Sequence, residues 1–417
     1  MPTHNLAPGH QARCQICSAE RLDLVLDLGH HPPCDSLLTL QQLNEAEKVY
    51  PLRFMRCLEC GLAQIDYVVP PEELFFPEYP YRSGITGTLA GYLQSIATAL
   101  VADYGLGKDS FVVDLGSNDG TLLQGFKTRG MRVLGVEPTN VAGIAIGNGI
   151  PTVQEFFSLE LAQRLQAEHG PAQVVTAANM FAHVARLGDL IRGVEELLVD
   201  GGIFLSESHY LLDLLERTQY DSIYHEHLKY YSLRSIRTLF SHYDFTVVDA
   251  ERIPNYGGSI RVYAMKGKGR PVTERLERLV AAEVDAGLDG GEVFEAFAER
   301  VRRSKLELQH LLVDINRQGE AVVGIGCPGR ASTLLNYCNV DPVLMPYIAE
   351  QSSSLKLGLY LPGKHIPVVD EQRMMQQQPE YAVLLSWHYG EPIVDKLRMN
   401  GLASKIIVPL PDVRVLE

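Results

Sequence analysis

The feature that most constrains the fold is an alternation of apolar, strand-like runs with helical stretches between about residue 84 and residue 265. The clearest runs are Phe111–Leu115, Arg132–Val136, Gln173–Thr176 and Gly202–Glu207. Strands that alternate with helices pair in parallel, because each helix carries the chain back across the sheet. The pattern predicts an open α/β domain whose parallel sheet is covered on both faces.

The same alternation returns near the C-terminus, after a charged helical stretch between Thr273 and Arg317 that breaks at Gly287–Gly291. We expect a helical hairpin there, followed by a second α/β domain. The strands of that domain are predicted at Ala321–Gly324, Tyr347–Ala349, Tyr381–Leu385 and Ile406–Val408.

Length and composition limit the function classes. The 417 residues are enough for roughly two to three domains. A formal net charge of −14 argues against general affinity for nucleic acid or anionic membranes, and no apolar run is long enough for a transmembrane helix. The N-terminus has no signal-peptide pattern and the seven cysteines are an odd number, so we expect a cytoplasmic protein.

Two Cys-x-x-Cys pairs, Cys14/Cys17 and Cys57/Cys60, predict a zinc site. Two thiolates three positions apart can turn onto one ion, and two such turns complete the tetrahedral four-sulfur shell that zinc prefers. A closed shell has no open position for a substrate, so the zinc is expected to be structural. Redox-active cysteines, or cysteines that are merely packed, are the alternatives.

A turn of small residues after Phe111–Leu115 is the candidate cofactor site. Glycine lets the backbone approach a ligand closely, and open α/β sheets bind ligands beyond the carboxyl ends of their strands. Glu137 ends the next strand about twenty residues later and can accept hydrogen bonds from both ribose hydroxyls. The predicted cofactor-binding residues are Asp114, Gly116, Asn118, Gly120, Glu137 and Asn179.

The glycine spacing distinguishes two cofactor classes. A nicotinamide fingerprint would place glycine at positions 116, 118 and 121, but position 118 is Asn and position 121 is Thr. The Asp114–Gly120 segment instead resembles the first motif of class I methyltransferases. A second motif, Gly324–Gly329, does fit the nicotinamide pattern, with Glu350 ending the next apolar run. A nicotinamide-dependent dehydrogenase or epimerase of nucleotide sugars is therefore the alternative function.

The segment Tyr224–His227 places potential acid–base groups at four consecutive positions, after the predicted strand Gly202–Glu207. Removing a proton from the carbon next to a ketone requires a base and a donor to the oxyanion that develops. Tyrosine, glutamate and histidine suit these tasks, and we expect His183 to face the same cleft. The His-x-His pair with its neighbouring glutamate could instead hold a metal ion.

Taken in order, these motifs resemble the sugar C-methyltransferases that act on nucleoside-diphosphate-4-keto-deoxysugars in bacterial antibiotic and glycan pathways. The resemblance covers nearly the whole chain. After the four-cysteine region it includes Asp114–Gly120, Tyr224–His227, Gly257–Arg261, Gly324–Arg330, Leu334–Tyr337 and Pro362–Pro367. Several motifs in this order are far more specific than any one alone.

The resemblance implies an α/β fold in three domains. A zinc-binding domain is expected over residues 1–75, a Rossmann-like class I methyltransferase domain over 76–265, and a helical hairpin with a Rossmann-like lobe over 266–417. It implies methyl transfer from S-adenosylmethionine to the carbon alpha to the ketone, with C-3 of a dTDP-linked sugar as the expected acceptor. The sugar nucleotide would lie between the last two domains.

By matching positions, the resemblance assigns the catalytic residues Tyr224, Glu226, His227 and His183. We assign His227 as the base, oriented by Glu226, with Tyr224 or His183 stabilising the enolate oxygen; Tyr224 or His183 could also be the base. Candidate substrate contacts are Ser259, Arg261, Arg330 and Lys364, for which a solvated surface position is the alternative.

A zinc-dependent interaction module is the non-enzymatic alternative, but it leaves Tyr224–His227 without an explanation. The segments Glu350–Lys356 and Asn255–Tyr256 depart from the family pattern, which leaves the sugar and the nucleotide open. The sequence also leaves the oligomeric state open.

Overall fold

The computed structural model describes residues 4–74, 83–85 and 87–417. Within these ranges the chain forms sheets of seven, six and four strands, together with a two-stranded pair of Gly9–His10 and Tyr67–Val68. The predicted α/β fold class is confirmed. The predicted domain boundary between residues 75 and 76 lies outside the described residues, and the other boundaries stay predictions.

The central sheet has seven strands, in the order Phe245–Ile253, Ser259–Lys266, Leu198–His209, Ala172–Ala178, Phe111–Leu115, Arg132–Val136 and Thr152–Val153. The last five of these are parallel, and Ser259–Lys266 runs antiparallel to both of its neighbours. The strand order reverses at Phe111–Leu115. Open α/β sheets bind ligands in the crevice at such a reversal.

The near-continuous apolar run of Phe111–Leu115 is buried on both faces, as expected for a central parallel strand. Val112 and Val113 point to opposite faces and belong to different hydrophobic cores. The described helices of this part of the chain are Pro71–Leu74, Gly87–Tyr104, Thr121–Lys127, Ala142–Gly147, Leu159–His169, Leu187–Leu197, Leu211–Glu216 and Leu233–Ser241.

The C-terminal sheet has six strands, in the order Val368–Asp370, Ile348–Glu350, Val322–Ile325, Tyr381–Leu384, Lys405–Val408 and Arg414–Leu416. The first five are parallel, and the order reverses at Val322–Ile325. Its helices are Gly329–Tyr337, Glu371–Gln377 and Gly390–Met399. We call this sheet and its three helices the C-terminal lobe. Like the central sheet, it has a crevice at the point where the strand order reverses.

The predicted helical hairpin consists of Glu274–Asp285 and Glu292–Arg317. The second helix has 26 residues and is amphipathic, with Phe297, Val301 and Leu308 buried on one side. Within the described ranges, no helix combines the length and the apolar character needed to cross a bilayer.

The zinc sheet takes its name from the cysteine pairs at its end and consists of Leu22–His31, Tyr50–Cys57, Ala63–Ile65 and Lys229–Tyr230. Its fourth strand comes from far along the chain: Lys229 and Tyr230 pair antiparallel with Gln64 and Ala63. The buried ring of Phe54 packs edge-on against Tyr230, with centroids 5.2 Å apart. The residues that directly follow His227 are therefore part of the zinc sheet.

Candidate active site

One cleft of about 1140 Å³ lies where the three sheets meet. A pocket for a single small ligand usually measures roughly 300–1,000 Å³, so this cleft has room for two ligands side by side. Its wall contains ten of the predicted site residues: Asp114, Gly116, Asn118, Glu137, Asn179, His183, Tyr224, Glu226, His227 and Arg330.

The turn after Phe111–Leu115 is shaped for a ligand. Gly116 has φ of 67°, and a Cβ atom there would lie 2.9 Å from Met180 Cγ, so only glycine fits. The Glu137 carboxylate accepts hydrogen bonds from Asn118 N (3.0 Å), Thr139 N (3.0 Å) and Thr139 Oγ1 (2.7 Å). Three of its four acceptor positions are thus used, and one remains for a ligand hydroxyl.

Two further residues complete this end of the cleft. Asp114 accepts a hydrogen bond from Thr176 Oγ1 (2.6 Å), and burial raises its pKa to about 7. Asn179 has φ of 55°, and its N–H donates to the Glu207 carbonyl (2.8 Å). Gly120 does not line the cleft, contrary to its prediction as a cofactor contact: it has φ of 80°, and its open side faces Ile150.

Three imidazoles form the centre of the cleft. The His227 ring lies 4.8 Å from the ring of His183 and 4.6 Å from that of His209, measured between centroids. His227 Nδ1 is 2.8 Å from the carbonyl oxygen of Ser222. A carbonyl oxygen can only accept, so Nδ1 carries the hydrogen and Nε2 keeps its lone pair. In this tautomer His227 Nε2 is able to take a proton.

Burial keeps these imidazoles neutral. It lowers the pKa of His183 to about 4 and that of His209 to about 3, and it holds the pKa of His227 well below 6.5. His209 was missed by sequence reasoning. The strand predicted at Gly202–Glu207 continues for two more residues, and His209 is its last residue at the ligand-binding edge.

Glu226 does not orient His227, contrary to the sequence-based assignment, because the Ser222 carbonyl takes that place. The Glu226 carboxyl instead accepts a hydrogen bond from Cys34 Sγ (3.4 Å). Burial, and then the charge of nearby Asp35, raise its pKa to about 8, so it is protonated at neutral pH. Glu226 is therefore a hydrogen-bond donor in the cleft wall.

The segment around His227 is held on both sides. Leu228 donates its N–H to the Ala182 carbonyl (3.1 Å) and accepts from Ile65 N (3.2 Å). His225 points away from the cleft, with Nε2 3.2 Å from the Pro51 carbonyl oxygen. His225 and His227 therefore do not converge on one point, which argues against the alternative of a His-x-His metal site.

Three of the four residues predicted to contact the substrate lie outside the cleft wall. Arg261 is buried in ion pairs with Glu207 (3.1 Å) and Glu251 (2.8 Å), and Ser259 Oγ donates to the Asn255 carbonyl (3.1 Å). Lys364 Nζ donates to Asn339 Oδ1 (2.6 Å) outside the cleft wall. Each of these three side chains is engaged within the protein and does not line the cleft, and their contact with a substrate stays a prediction. Of the four residues, Arg330 alone lines the cleft, and it too is engaged, in an ion pair with Asp221.

The four cysteines fit a zinc ion. The sulfurs of Cys14 and Cys60 are 3.5 Å apart, as are those of Cys17 and Cys57, and all four lie within 4.8 Å of one another. A Zn–S bond of about 2.3 Å gives tetrahedral edges of about 3.8 Å, so little movement closes the shell. The separations exceed a disulfide bond of about 2.05 Å. The predicted structural zinc site is confirmed.

Comparisons with known proteins match three consecutive parts of the chain. Family models match for a zinc binding domain over residues 14–75, a methyltransferase domain over 89–250 and a C-methyltransferase C-terminal domain over 254–411. The C-methyltransferase NovU of Streptomyces niveus is 31% identical over 409 residues, which cover 97% of this chain and 96% of NovU.

Solved structures resemble a part of the chain. The magnesium protoporphyrin IX methyltransferase of Synechocystis with bound S-adenosylmethionine is 15% identical, covers 43% of this chain and 79% of its own, and has a TM-score of 0.33. The PH0226 protein of Pyrococcus horikoshii is 16% identical, covers 45% of this chain and 96% of its own, and has a TM-score of 0.37.

Removal of zinc should unfold the zinc sheet, because structural zinc contributes roughly 10 kcal/mol or more of apparent binding free energy. We expect a lower unfolding temperature and faster amide exchange at Lys229 and Tyr230 after chelation. Cys57→Ser should behave in the same way, whereas Cys338→Ser, a change outside the cluster, should keep the wild-type zinc content. Unchanged exchange after complete zinc removal would contradict the structural role.

Glu137→Ala should weaken binding of S-adenosylhomocysteine by about 10- to 100-fold, because a hydrogen bond to a charged group is worth about 1.5–3 kcal/mol. Calorimetry measures this change. Glu155→Ala is the matched control, since Glu155 is exposed and pairs with Arg164 on the surface. An unchanged dissociation constant in Glu137→Ala would remove Glu137 from the cofactor site.

Proposed function

This chain belongs to the C-methyltransferase family, and on that premise we propose that it methylates the carbon alpha to the ketone of a nucleotide-linked 4-keto-deoxysugar. We propose a dTDP-linked sugar and C-3 as the position. The observation that carries the proposal is a neutral imidazole, His227, in the wall of a cleft that two glycine turns also line; its Nδ1 is held by the Ser222 carbonyl, which leaves Nε2 unprotonated.

The two ends of the cleft suit two different ligands. Gly116 and Glu137 form the end of the central sheet, and they fit the adenosyl group of S-adenosylmethionine. At the other end, Gly329 lies at the start of a nine-residue helix whose N-terminus borders the cleft. Helix N-termini are among the groups that proteins use to hold phosphates. The two cations beside this N-terminus, Arg330 and Lys356, are already paired with Asp221 and Asp35, so the proposed phosphate site rests on the helix N-terminus.

When bound, S-adenosylmethionine supplies an electrophilic methyl group. His227 Nε2 accepts the proton from the carbon next to the ketone, and the electrons of the C–H bond pass to the ketone oxygen as an enolate forms. The enolate carbon then takes the methyl group as the carbon–sulfur bond breaks. The low pKa of His227 limits its strength as a base, and a bound diphosphate raises that pKa because it adds negative charge nearby.

The developing oxyanion needs hydrogen-bond donors. The phenol of Tyr224 is available, because burial raises its pKa well above 10 and keeps the proton on the oxygen. The protonated carboxyl of Glu226 is a second donor, in the manner of a buried carboxylic acid that stays neutral at pH 7. His183 completes this set of groups around His227.

One contact argues against the nicotinamide-dependent alternative. In that fingerprint the second glycine lets the backbone approach the pyrophosphate, but a Cβ at Gly326 would lie 2.5 Å from Ser386 Oγ. The side chain of Ser386 therefore occupies the open side of this glycine.

The proposed function is tested by incubating the zinc-loaded protein with S-adenosylmethionine and a panel of dTDP- and GDP-linked 4-keto-deoxysugars. We expect a product heavier by one methylene unit and one equivalent of S-adenosylhomocysteine. His227→Asn should bind both ligands normally and lose about 100- to 10,000-fold in kcat, the usual contribution of a general base. NAD binding without S-adenosylhomocysteine binding would overturn the proposal.

Because Glu226 is protonated at neutral pH, we can predict how kcat changes with pH on the alkaline side. With a pKa of about 8, this carboxyl donates a hydrogen bond below pH 8 and loses the proton above it. We therefore expect kcat of the wild-type enzyme to fall as pH rises through about 8. Glu226→Gln keeps an N–H donor that does not ionise, so its profile should stay flat there. If kcat falls near pH 8 in both the wild-type enzyme and Glu226→Gln, the fall is caused by the ionisation of another group.

A further inference from the structure

The Ser222 carbonyl fixes His227, and the C-terminal lobe holds the residues on either side of that carbonyl. Asp221 precedes Ser222 and pairs with Arg330, with Oδ2 3.0 Å from Nε. Ile223 follows Ser222, and its carbonyl accepts a hydrogen bond from Thr333 Oγ1 (3.0 Å). Arg330 and Thr333 both lie on the helix Gly329–Tyr337 of the C-terminal lobe.

The carboxylate of Asp221 is fully buried, and the C-terminal lobe supplies its side-chain partners. Oδ2 accepts a hydrogen bond from Trp387 Nε1 (2.7 Å), and Oδ1 accepts one from Arg330 Nη2 (3.1 Å). The Arg330 guanidinium also lies over the Trp387 ring, 5.1 Å from its centroid. Compared with well-packed apolar side chains a buried ion pair adds little net stability, but it holds both partners in one geometry.

The neighbouring contacts leave the turn Tyr220–Ser222 little freedom. Arg330 Nη2 donates to Gln219 Oε1 (3.1 Å), and Gln219 Nε2 donates to the Gly257 carbonyl (2.7 Å). A Cβ at Gly257 would lie 2.7 Å from Gln219 Oε1, which explains the first glycine of the Gly257–Arg261 motif. Asp221 and Gln219, together with the lobe that binds them, therefore restrain the direction of the Ser222 carbonyl. Tyr230 of the zinc sheet restrains it as well, because its hydroxyl donates to the same carbonyl (3.2 Å).

We propose that Asp221 is a positioning residue through which the C-terminal lobe sets the tautomer of His227. The inference rests on the proposed function in one respect, namely that His227 is the base. Arg330 and Trp387 hold Asp221, the turn holds the Ser222 carbonyl, and that carbonyl takes the Nδ1 hydrogen. Nε2 is then left unprotonated on a side chain that lines the cleft, in which the proposed substrate would bind.

The test replaces Asp221 by its neutral isostere in the full-length, zinc-loaded protein. In wild-type protein with bound S-adenosylhomocysteine, ¹⁵N spectra of labelled histidine should show His227 as the Nδ1–H tautomer, with its signals assigned by their loss in His227→Asn. In Asp221→Asn we expect a mixture of tautomers. We also expect kcat to fall about 10- to 100-fold at nearly unchanged KM, because a base in the wrong tautomer cannot take the proton.

Two more variants distinguish a role of Asp221 in positioning His227 from a general effect on protein stability. Trp387→Phe removes one hydrogen bond to Asp221 and keeps the aromatic ring, so it should shift the tautomer in the same direction by a smaller amount. Asp249→Asn is the matched control, because Asp249 is a buried carboxylate paired with Arg275 outside the cleft. It should keep the wild-type tautomer and kcat.

The outcomes distinguish the two proposals. A folded Asp221→Asn protein in which His227 keeps the Nδ1–H tautomer overturns the positioning role, whatever its activity. If Asp221→Asn does not fold, an unchanged tautomer in Trp387→Phe overturns it instead. Full activity in His227→Asn would contradict the assignment of the base, while the tautomer measurements, which need no substrate, still decide whether Asp221 controls the ring.

Discussion

Two residues after His227, the chain enters the zinc sheet as the strand Lys229–Tyr230, and the geometry of the cleft depends on this pairing. The strand pairs with Ala63 and Gln64, which lie three and four residues after Cys60. Zinc closes the turn that sets the start of that neighbouring strand. A metal site whose ligands lie outside the cleft wall therefore helps to determine where the proposed base lies.

Exclusion of water gives the cleft its chemistry. The same burial that keeps His227 neutral also protonates Glu226 and lowers the pKa of Lys229, a fully buried lysine beneath the cleft, to about 7. In water, Glu226 and Lys229 would both be ionised and the imidazole of His227 would be mostly neutral. Within the protein, desolvation changes which of them can donate and which can accept a proton, with no direct ion pair to His227.

The sequence predicts best those features that depend on local pattern. The strands Phe111–Leu115 and Arg132–Val136 occur at their predicted bounds because buried parallel strands need unbroken apolar runs. The cysteine spacing predicts the zinc site for a similar reason. Arg261 shows the limit: its motif is recognisable, but its partners Glu207 and Glu251 lie on other strands, so that only the fold reveals the two ion pairs that hold its guanidinium.

The zinc domain also contacts the C-terminal lobe directly. These contacts limit how domains can be exchanged between members of the family. Leu38 and Tyr360 exchange backbone hydrogen bonds (2.9 and 2.8 Å), and Asp35 pairs with Lys356 (2.7 Å). A chimera that imported only a new C-terminal lobe would lose these contacts as well as those to Asp221. The loop of residues 34–47 and the lobe are therefore best exchanged together.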